Sequence, residues 1–517
     1  MLFRVISWIV FFYFAEIRST KLHEITPGNG TEPTRCWLSD LTSQIKRTGA
    51  KHGLYMTNEK YPMSNVKCLA IFFLIITVAD LKAHPLARTP QSKSRTSLSL
   101  ADQQFIDDLE RRSFDYFWRE ADPQTGLVPD RARMDGSLLD DAHRNVGSIA
   151  ATGFGLTALC IAAERGWLER INARERTRNT LQFFANRAFH QHGWFYHWLD
   201  TKTGERRWNS EVSSIDTALL LGGILTTRQY FGEDKEINNL AGQIYERVDF
   251  RWMLNGHPHQ LSHGWKPETG FLKTRWDTYS EDTILYVLAI GSPTHPIPAE
   301  SWYFLWRDRY RYESFAYFTT IGVPLFMHQY AHAWIDYRGR REIKSDRIDY
   351  FQNSVNATLA HRKFCMNLSY KFRGYNENIW GITASDSAKG YLAWGGPPLD
   401  PEIDGTVVPS AAGGSLMFTP ELSTTALRTM RERYSDKIYG RYGFVDAFNP
   451  NNGWVDTDVI GINVGIMLLS AENMRSGNVW RWFMKNSEIP GAMERIGLVR
   501  YKKSPTDYTG RPAPQPN

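Results

Sequence analysis

Three segments of this 517-residue chain repeat one design, and that design limits the fold more than any other feature. "SSIDTALLLGG" carries Asp216-Thr217, "YSEDTILYVLA" carries Asp282-Thr283 and "GWVDTDVIGINVG" carries Asp456-Thr457, each just before a run of apolar residues. Ser, Thr and Asp in such places satisfy the free N–H groups of a first helical turn, and acids there complement the helix dipole. Each such contact is worth about 1 kcal/mol. The runs that follow are apolar on nearly every face, so these helices must lie buried among other helices.

Those other helices are legible too. "QQFIDDLERRSFDYFWREA" places Phe105, Leu109, Phe114 and Phe117 at helical spacing, and "RTRNTLQFFANRAF", "INNLAGQIYERVD" and "ELSTTALRTMRERY" are likewise amphipathic. "GSIAATGFGLTALCIAAERGWL" is apolar and rich in small residues, as a helix buried on most sides requires. Helices recur without a fixed sequence repeat, and their connections carry Trp, Gly, Asp and His. The expected fold is all-α: an (α/α)6 toroid of six inner and six outer helices, with long loops and short β-hairpins. "WFYHWLD" (194–200) predicts one such hairpin.

A net charge of +6 with interspersed signs and no dense basic stripe argues against nucleic acid as a partner. Eighteen Trp, 24 Tyr and 28 Phe are an unusual share; much of it must be core, but Trp and Tyr spread through polar segments also suit a site that stacks on sugar rings. Cys36, Cys68, Cys160 and Cys365 show no metal-ligand spacing; Cys160 and Cys365 read either as a disulfide or as two buried thiols.

Residues 1–83 form a signal or precursor region. The segment from Met63, "MSNVKCLAIFFLIITVADLKAHP", has the layout of a signal peptide, which makes Met63 the expected start and the protein exported to the periplasm or medium. A membrane-anchored precursor is the alternative. Residues 84–100 read as a linker, 101–502 as one catalytic domain and 503–517 as a tail without fixed structure.

If the inner helices all start at one face, their first turns gather Glu211, Asp216, Glu281, Asp456 and Asp458 around one cavity. Clustered carboxylates raise one another's pKa. Glycoside hydrolysis needs that inequality, with a protonated acid for the leaving oxygen beside an ionised base or nucleophile. A helix N-terminus acts in the opposite sense, so Glu281 serves as acid only where burial or neighbouring anions outweigh the dipole. Taken singly, each of these acids is equally well a cap. "HQYAHAWID" sets His328, His332 and Asp336 on one predicted helix face. Asp336 stands too far along the axis from His328 to share a metal with it, and no HExxH is present. No metal or other cofactor is expected, and the histidines read as substrate contacts or core. Trp194, Tyr279, Trp380 and Trp454 flank the acidic junctions as core residues or as a sugar cleft. No GxSxG elbow and no phosphate-binding glycine loop occurs.

"SSIDTALLLGG", "GWKPETGFL", "YSEDTILYVLAIGSPTHPIP", "FMHQYAHAWIDYRG", "WGITASD", "DGTVVPSAAGGS", "YGFVDAFN" and "AENMRSGNVW" run in the order of the glycoamylase-like family, which this chain resembles over about residues 105 to 500. Its characterised members include endo-β-1,2-glucanases (sophorohydrolases). The resemblance implies the (α/α)6 toroid, no metal, a monomer acting on a polysaccharide or oligosaccharide, and inverting cleavage of β-1,2-glucan. It implies Glu281 as general acid, with Asp216 and Glu211 lining the cleft. Two departures stand out. Relatives have Tyr-Asn before the glutamate, and this chain has Tyr279-Ser280. Relatives read Gly-Ile-Asp-Gln-Gly-Pro where this chain reads "GINVGI", so Asn463 replaces an aspartate and cannot act as a base. That change admits three other outcomes: a retaining transglycosylase, an exo-glycosidase, or a non-catalytic glucan-binding protein.

Overall fold

Helix α1 (Leu100–Glu120) opens the computed structural model, which describes residues 98–501 apart from 321 and 399–401. The signal-like segments, Cys36, Cys68, most of the linker and the tail lie outside the described residues. The Ser99 hydroxyl caps α1 by accepting from the Asp102 N–H at 3.1 Å, so helix begins inside the stretch expected to be linker. Phe105, Leu109, Phe114 and Phe117 are all buried, as their spacing requires.

The next helices are α2 (Ile149–Arg165), α3 (Arg170–Asn186), α4 (Ser214–Tyr230), α5 (Lys235–Arg247), α6 (Phe250–Met253) and α7 (Thr283–Gly291). They are followed by α8 (Tyr330–Trp334), α9 (Tyr350–Asn367), α10 (Pro409–Gly413), α11 (Pro420–Tyr434), α12 (Gly461–Arg475), α13 (Asn478–Phe483) and α14 (Glu488–Arg495). The architecture is mostly α with short sheets. The apolar helices α2, α4, α7 and α12 bury most of their length, and all nine residues of α7 are buried. Helix α4 packs between α2 and α7, and α12 packs on the other side of α2. Amphipathic α1, α3 and α5 cover them from outside.

Small residues let α2 and α4 meet at backbone contact. A Cβ on Gly153 would fall 2.2 Å from the Leu219 carbonyl oxygen, and one on Gly223 would fall 2.1 Å from that of Gly153. Glycine in a helix costs about 1 kcal/mol relative to alanine, and here it is offset by the close packing it permits.

The described strands are no longer than five residues and mostly pair two by two. Several pin the entrances of the buried helices. Val146–Ser148, which leads into α2, pairs with Trp198–Asp200, and Asp458–Ile460, which leads into α12, pairs with Arg131–Arg133. The segment 194–200 is therefore no single hairpin: Trp194–Phe195 pairs with His190–Gln191, while 198–200 crosses to the strand before α2. Cys160 and Cys365 are both buried free thiols.

Candidate active site

The extended residues that lead into α4 place two acids beside one histidine. Ser213, the N-cap, takes up the Asp216 N–H at 3.3 Å and donates its own hydroxyl to Asp216 Oδ2 at 2.5 Å. His197, on the crossing strand segment, stands between Glu211 and Asp216: Nδ1 is 3.2 Å from Glu211 Oε1 and Nε2 is 3.3 Å from Asp216 Oδ1. Trp198 stacks on the imidazole, ring centroids 3.5 Å apart and nearly parallel. Burial pushes the His197 pKa down, but the Asp216 and Glu211 carboxylates outweigh it and hold the ring above its ordinary value. Burial pushes Glu211 up; the hydrogen bond and charge of His197 reverse this and hold its carboxyl at about 2. Asp216 remains raised, because burial exceeds the help from His197 and Ser213.

Glu281 sits just before α7, 2% exposed, with Oε2 buried and without a hydrogen-bond partner among the described residues. Burial raises its pKa to about 7, and the charge of Asp216 pushes the same way. The helix dipole therefore loses here, as a general acid requires. Asp282 holds the N-cap position of α7, yet makes no side-chain cap bond. It accepts instead from the Ser280 N–H at 3.1 Å, so Glu281 is entered through a tight turn rather than through the expected cap.

A second acidic group lies where strand 131–133 meets strand 458–460. Arg131 reaches Asp386 at 2.7 Å and Asp458 at 2.9 Å, and Arg133 takes the other Asp458 oxygen at 2.9 Å. Asp458 is thereby committed to two guanidinium groups. Asp446 accepts from the Asp386 N–H at 2.8 Å and from Asn463 Nδ2 at 2.7 Å. Asn463 also donates to the Ala384 carbonyl at 3.2 Å and accepts from the Tyr330 hydroxyl at 3.2 Å. Burial first, and neighbouring carboxylates second, raise both Asp446 and Asp456. Oxygens of Asp386, Asp446 and Asp456 come within 4.8 Å of one another, close enough for a cation, but Arg131 and the Asn463 amide already supply this group with positive charge and donors. Tyr330 joins the two groups, since its hydroxyl feels the charges of Glu281, Asp446 and Asp216 together.

The structure thus brings Glu211, Asp216 and Glu281 into one electrostatic set, with Asp456 and Asp458 in the adjoining one. Sequence reasoning missed His197, Asp130, Arg131, Asp386 and Asp446. The signal for the last two was their place inside the blocks "WGITASD" and "YGFVDAFN", where neither acid precedes an apolar run. Asp130, raised to about 6 by burial and by Asp386, lies between His197 and Arg131.

Several expected sugar contacts are core instead. Trp194 and Trp380 are wholly buried, Trp194 with its indole N–H on the Asp249 carbonyl at 2.9 Å. "HQYAHAWID" does not form one helix face: a 3-10 turn, Leu325–His328, gives way to the short α8, and Asp336 falls beyond it. His328 is wedged between the Tyr279 hydroxyl at 3.3 Å and Thr319 Oγ1 at 3.1 Å, and His332 contacts Ser354 Oγ at 3.0 Å. Burial holds both imidazoles near 3, hence neutral, and with buried Tyr279 they belong to the core rather than to an exposed sugar cleft. Trp454 is half-buried, on the short strand that leads directly to Asp456. Half-buried Trp198 and Trp208, packed edge to face at 5.1 Å, are aromatic surface beside His197 that sequence reasoning passed over. Trp208 and Asn209 hold the left-handed region (φ 55° and 50°), a strained conformation of the kind found at ligand sites.

Residues 273–487 match the family model Glycoamylase, described as "Putative glucoamylase". An endo-β-1,2-glucanase from Chitinophaga pinensis, solved with sophorotriose and glucose, is 30% identical, with a TM-score of 0.72 over 78% of this chain and 99% of that one. A "putative glucoamylase" from Bacteroides fragilis is also 30% identical, with a TM-score of 0.71 over 79% of this chain and 99% of that one. The exo-β-1,2-glucooligosaccharide sophorohydrolase (non-reducing end) of Parabacteroides distasonis is 26% identical over 447 residues, 79% of this chain. This chain spans 60% of that relative's length. The chain belongs to the glycoamylase-like family.

Proposed function

We propose that the protein is a glycoside hydrolase of β-1,2-glucan in which Glu281 is the general acid. The observation that carries this is the buried Glu281 carboxyl, held at about 7 with one oxygen unpartnered, beside the charge of Asp216. The names of the Chitinophaga and Parabacteroides relatives support β-1,2-linked glucose as substrate.

Protonated Glu281 donates to the glycosidic oxygen as the bond to the anomeric carbon breaks. Asp216, kept beside the raised-pKa His197 and fixed by Ser213, is the carboxylate that takes a proton from the attacking water. This gives inversion at the anomeric carbon. Of the other acids, Asp458 is tied to Arg131 and Arg133, and raised Asp456 holds its proton more tightly. Glu211 acts through His197, orienting and charging the ring.

We also propose that the fold is an (α/α)6 toroid with α2, α4, α7, α8, α10 and α12 as its inner helices, supported by the packing of α4 on α2 and α7 and of α12 on α2, α8 and α10. Export of a domain spanning about 101–502 belongs to the proposal as well, supported by the sequence from Met63. The test is digestion of linear β-1,2-, β-1,3- and β-1,4-glucans, with the first product anomer read by NMR. Release of the α-anomer from β-1,2-glucan alone is expected. No turnover of any β-glucan, with binding retained, makes the protein a glucan-binding one.

A further inference from the structure

Far from the acids, the end of α12 opens onto a cleft of about 390 Å³ lined by Arg338, Arg340, Arg481 and Arg500, with Trp480 and Asp336. Asn463 stands in the first turn of α12 and Arg475 at its end, which puts the cleft about 18 Å along the helix from the candidate active site. The single acid is spent, because Arg338 clasps Asp336 through two bonds of 2.8 and 2.9 Å while stacking 3.9 Å above the Trp480 ring. Arg340, Arg481 and Arg500 form no ion pair with an acid among the described residues.

Two of these cations face each other. Strand Arg340–Glu342 pairs with Leu498–Arg500 so that Arg340 and Arg500 are direct cross-strand partners. Like charges placed so are destabilising. The Arg340 Nε is also buried without a hydrogen-bond partner, although its Nη1 reaches the Leu498 carbonyl at 3.4 Å. Arg340 thus stands against the exposed Arg500 with only Asp336 to offset the repulsion in part. An oxyanion between the two forks supplies acceptors to both planes and removes their repulsion.

We propose that this cleft is a binding site for a phosphate group, gripped by Arg340, Arg500 and Arg481 and separate from the site of glycoside chemistry. Burial first, and the charge of Arg500 second, disfavour the Arg340 cation, and Asp336 offsets them only in part. A dianion in the cleft reverses that balance.

The test follows melting of the full protein in inorganic phosphate, in glucose 6-phosphate and in sodium chloride of matched ionic strength. Phosphate is expected to raise Tm saturably by at least about 2 °C above chloride, since a ligand bound only to the native state stabilises it. The Glu281→Gln protein should show the same increment, which keeps this result independent of the proposed hydrolase activity. Arg340→Gln/Arg500→Gln should melt at or above wild type in chloride and lose the increment; Arg481→Ala should weaken phosphate at least about tenfold. Tighter binding of glucose 6-phosphate than of inorganic phosphate assigns the ligand to a phosphorylated sugar, and parity assigns it to the free anion. A melting curve that responds to phosphate no more than to chloride, or an increment that survives in the double variant, overturns the proposal.

Discussion

His197 Nε2 lies 3.3 Å from Asp216 Oδ1, and this contact ties an imidazole that no motif announced to the carboxylate whose charge raises Glu281. The other ring nitrogen holds Glu211, so the three residues titrate as a set.

The stability that this set contributes has a defined pH window. The Glu211 carboxyl is depressed from 4.5 to about 2, so its share is present above pH 4.5 and is lost as pH falls toward 2. The His197 pKa is raised above 6.5, so its share is present below pH 6.5 and is lost as pH rises through the folded value. On account of Glu211 and His197, melting temperatures from about pH 2 to 9 should be highest between about 4.5 and 6.5, while Asp216, raised by burial, subtracts stability as pH rises above 3.8. His197→Asn should flatten both limbs; unchanged limbs would show that the set does not carry them.

Hydrolysis should fall on the alkaline side of about pH 7, where Glu281 loses its proton. Asp216→Asn removes a negative charge that raises Glu281, so the Glu281 carboxyl should titrate lower in that variant, observed by infrared difference spectroscopy. An unmoved titration would place Asp216 outside the reach of Glu281.

Asn463 stands where the family resemblance implies an aspartate, and its contacts give it a role of its own. Its amide nitrogen donates to Asp446 at 2.7 Å and to the Ala384 carbonyl at 3.2 Å. Asn463→Asp therefore sets acceptor against acceptor in a buried place and should cost about 1–3 kcal/mol of stability. Turnover on β-1,2-glucan should fall or hold, not rise. A severalfold gain would instead return the water-activating role to this position.

Arg131 neutralises the second acidic group, with 7% of its side chain exposed. Arg131→Met leaves Asp386 without its guanidinium and Asp458 with Arg133 alone, and should cost about 3–5 kcal/mol in denaturant unfolding. A loss below about 1 kcal/mol would mean that water replaces the guanidinium freely.

The helices were legible because their periodicity is local: Phe105, Leu109, Phe114 and Phe117 declare the buried face of α1 without reference to anything distant. Glu281 and Asp216 were legible for the same reason, as acids at the mouths of apolar runs. His197 was not, because its meaning comes from strand 198–200 crossing to residues 146–148, a pairing that leaves no spacing signal in the chain. Trp194 and Trp380 misled in the opposite sense, since an aromatic next to an acidic junction looks the same in sequence whether it faces the core or the cleft. The helix written into "HQYAHAWID" broke at Gln329, where the chain changes from a 3-10 turn to α8 and turns Asp336 away.

In the proposed mechanism Glu281 supplies the proton to the departing sugar. Glu281→Gln keeps the shape of a buried side chain and removes its acidity, and the measurement is kcat for β-1,2-glucan beside the melting temperature. The kcat should fall about 10²–10⁴-fold with Tm held or raised, because a buried titratable carboxyl has been replaced by a neutral amide. A Glu281→Gln enzyme that turns over within a few-fold of wild type would contradict that mechanism and return Glu281 to a structural role at the mouth of α7.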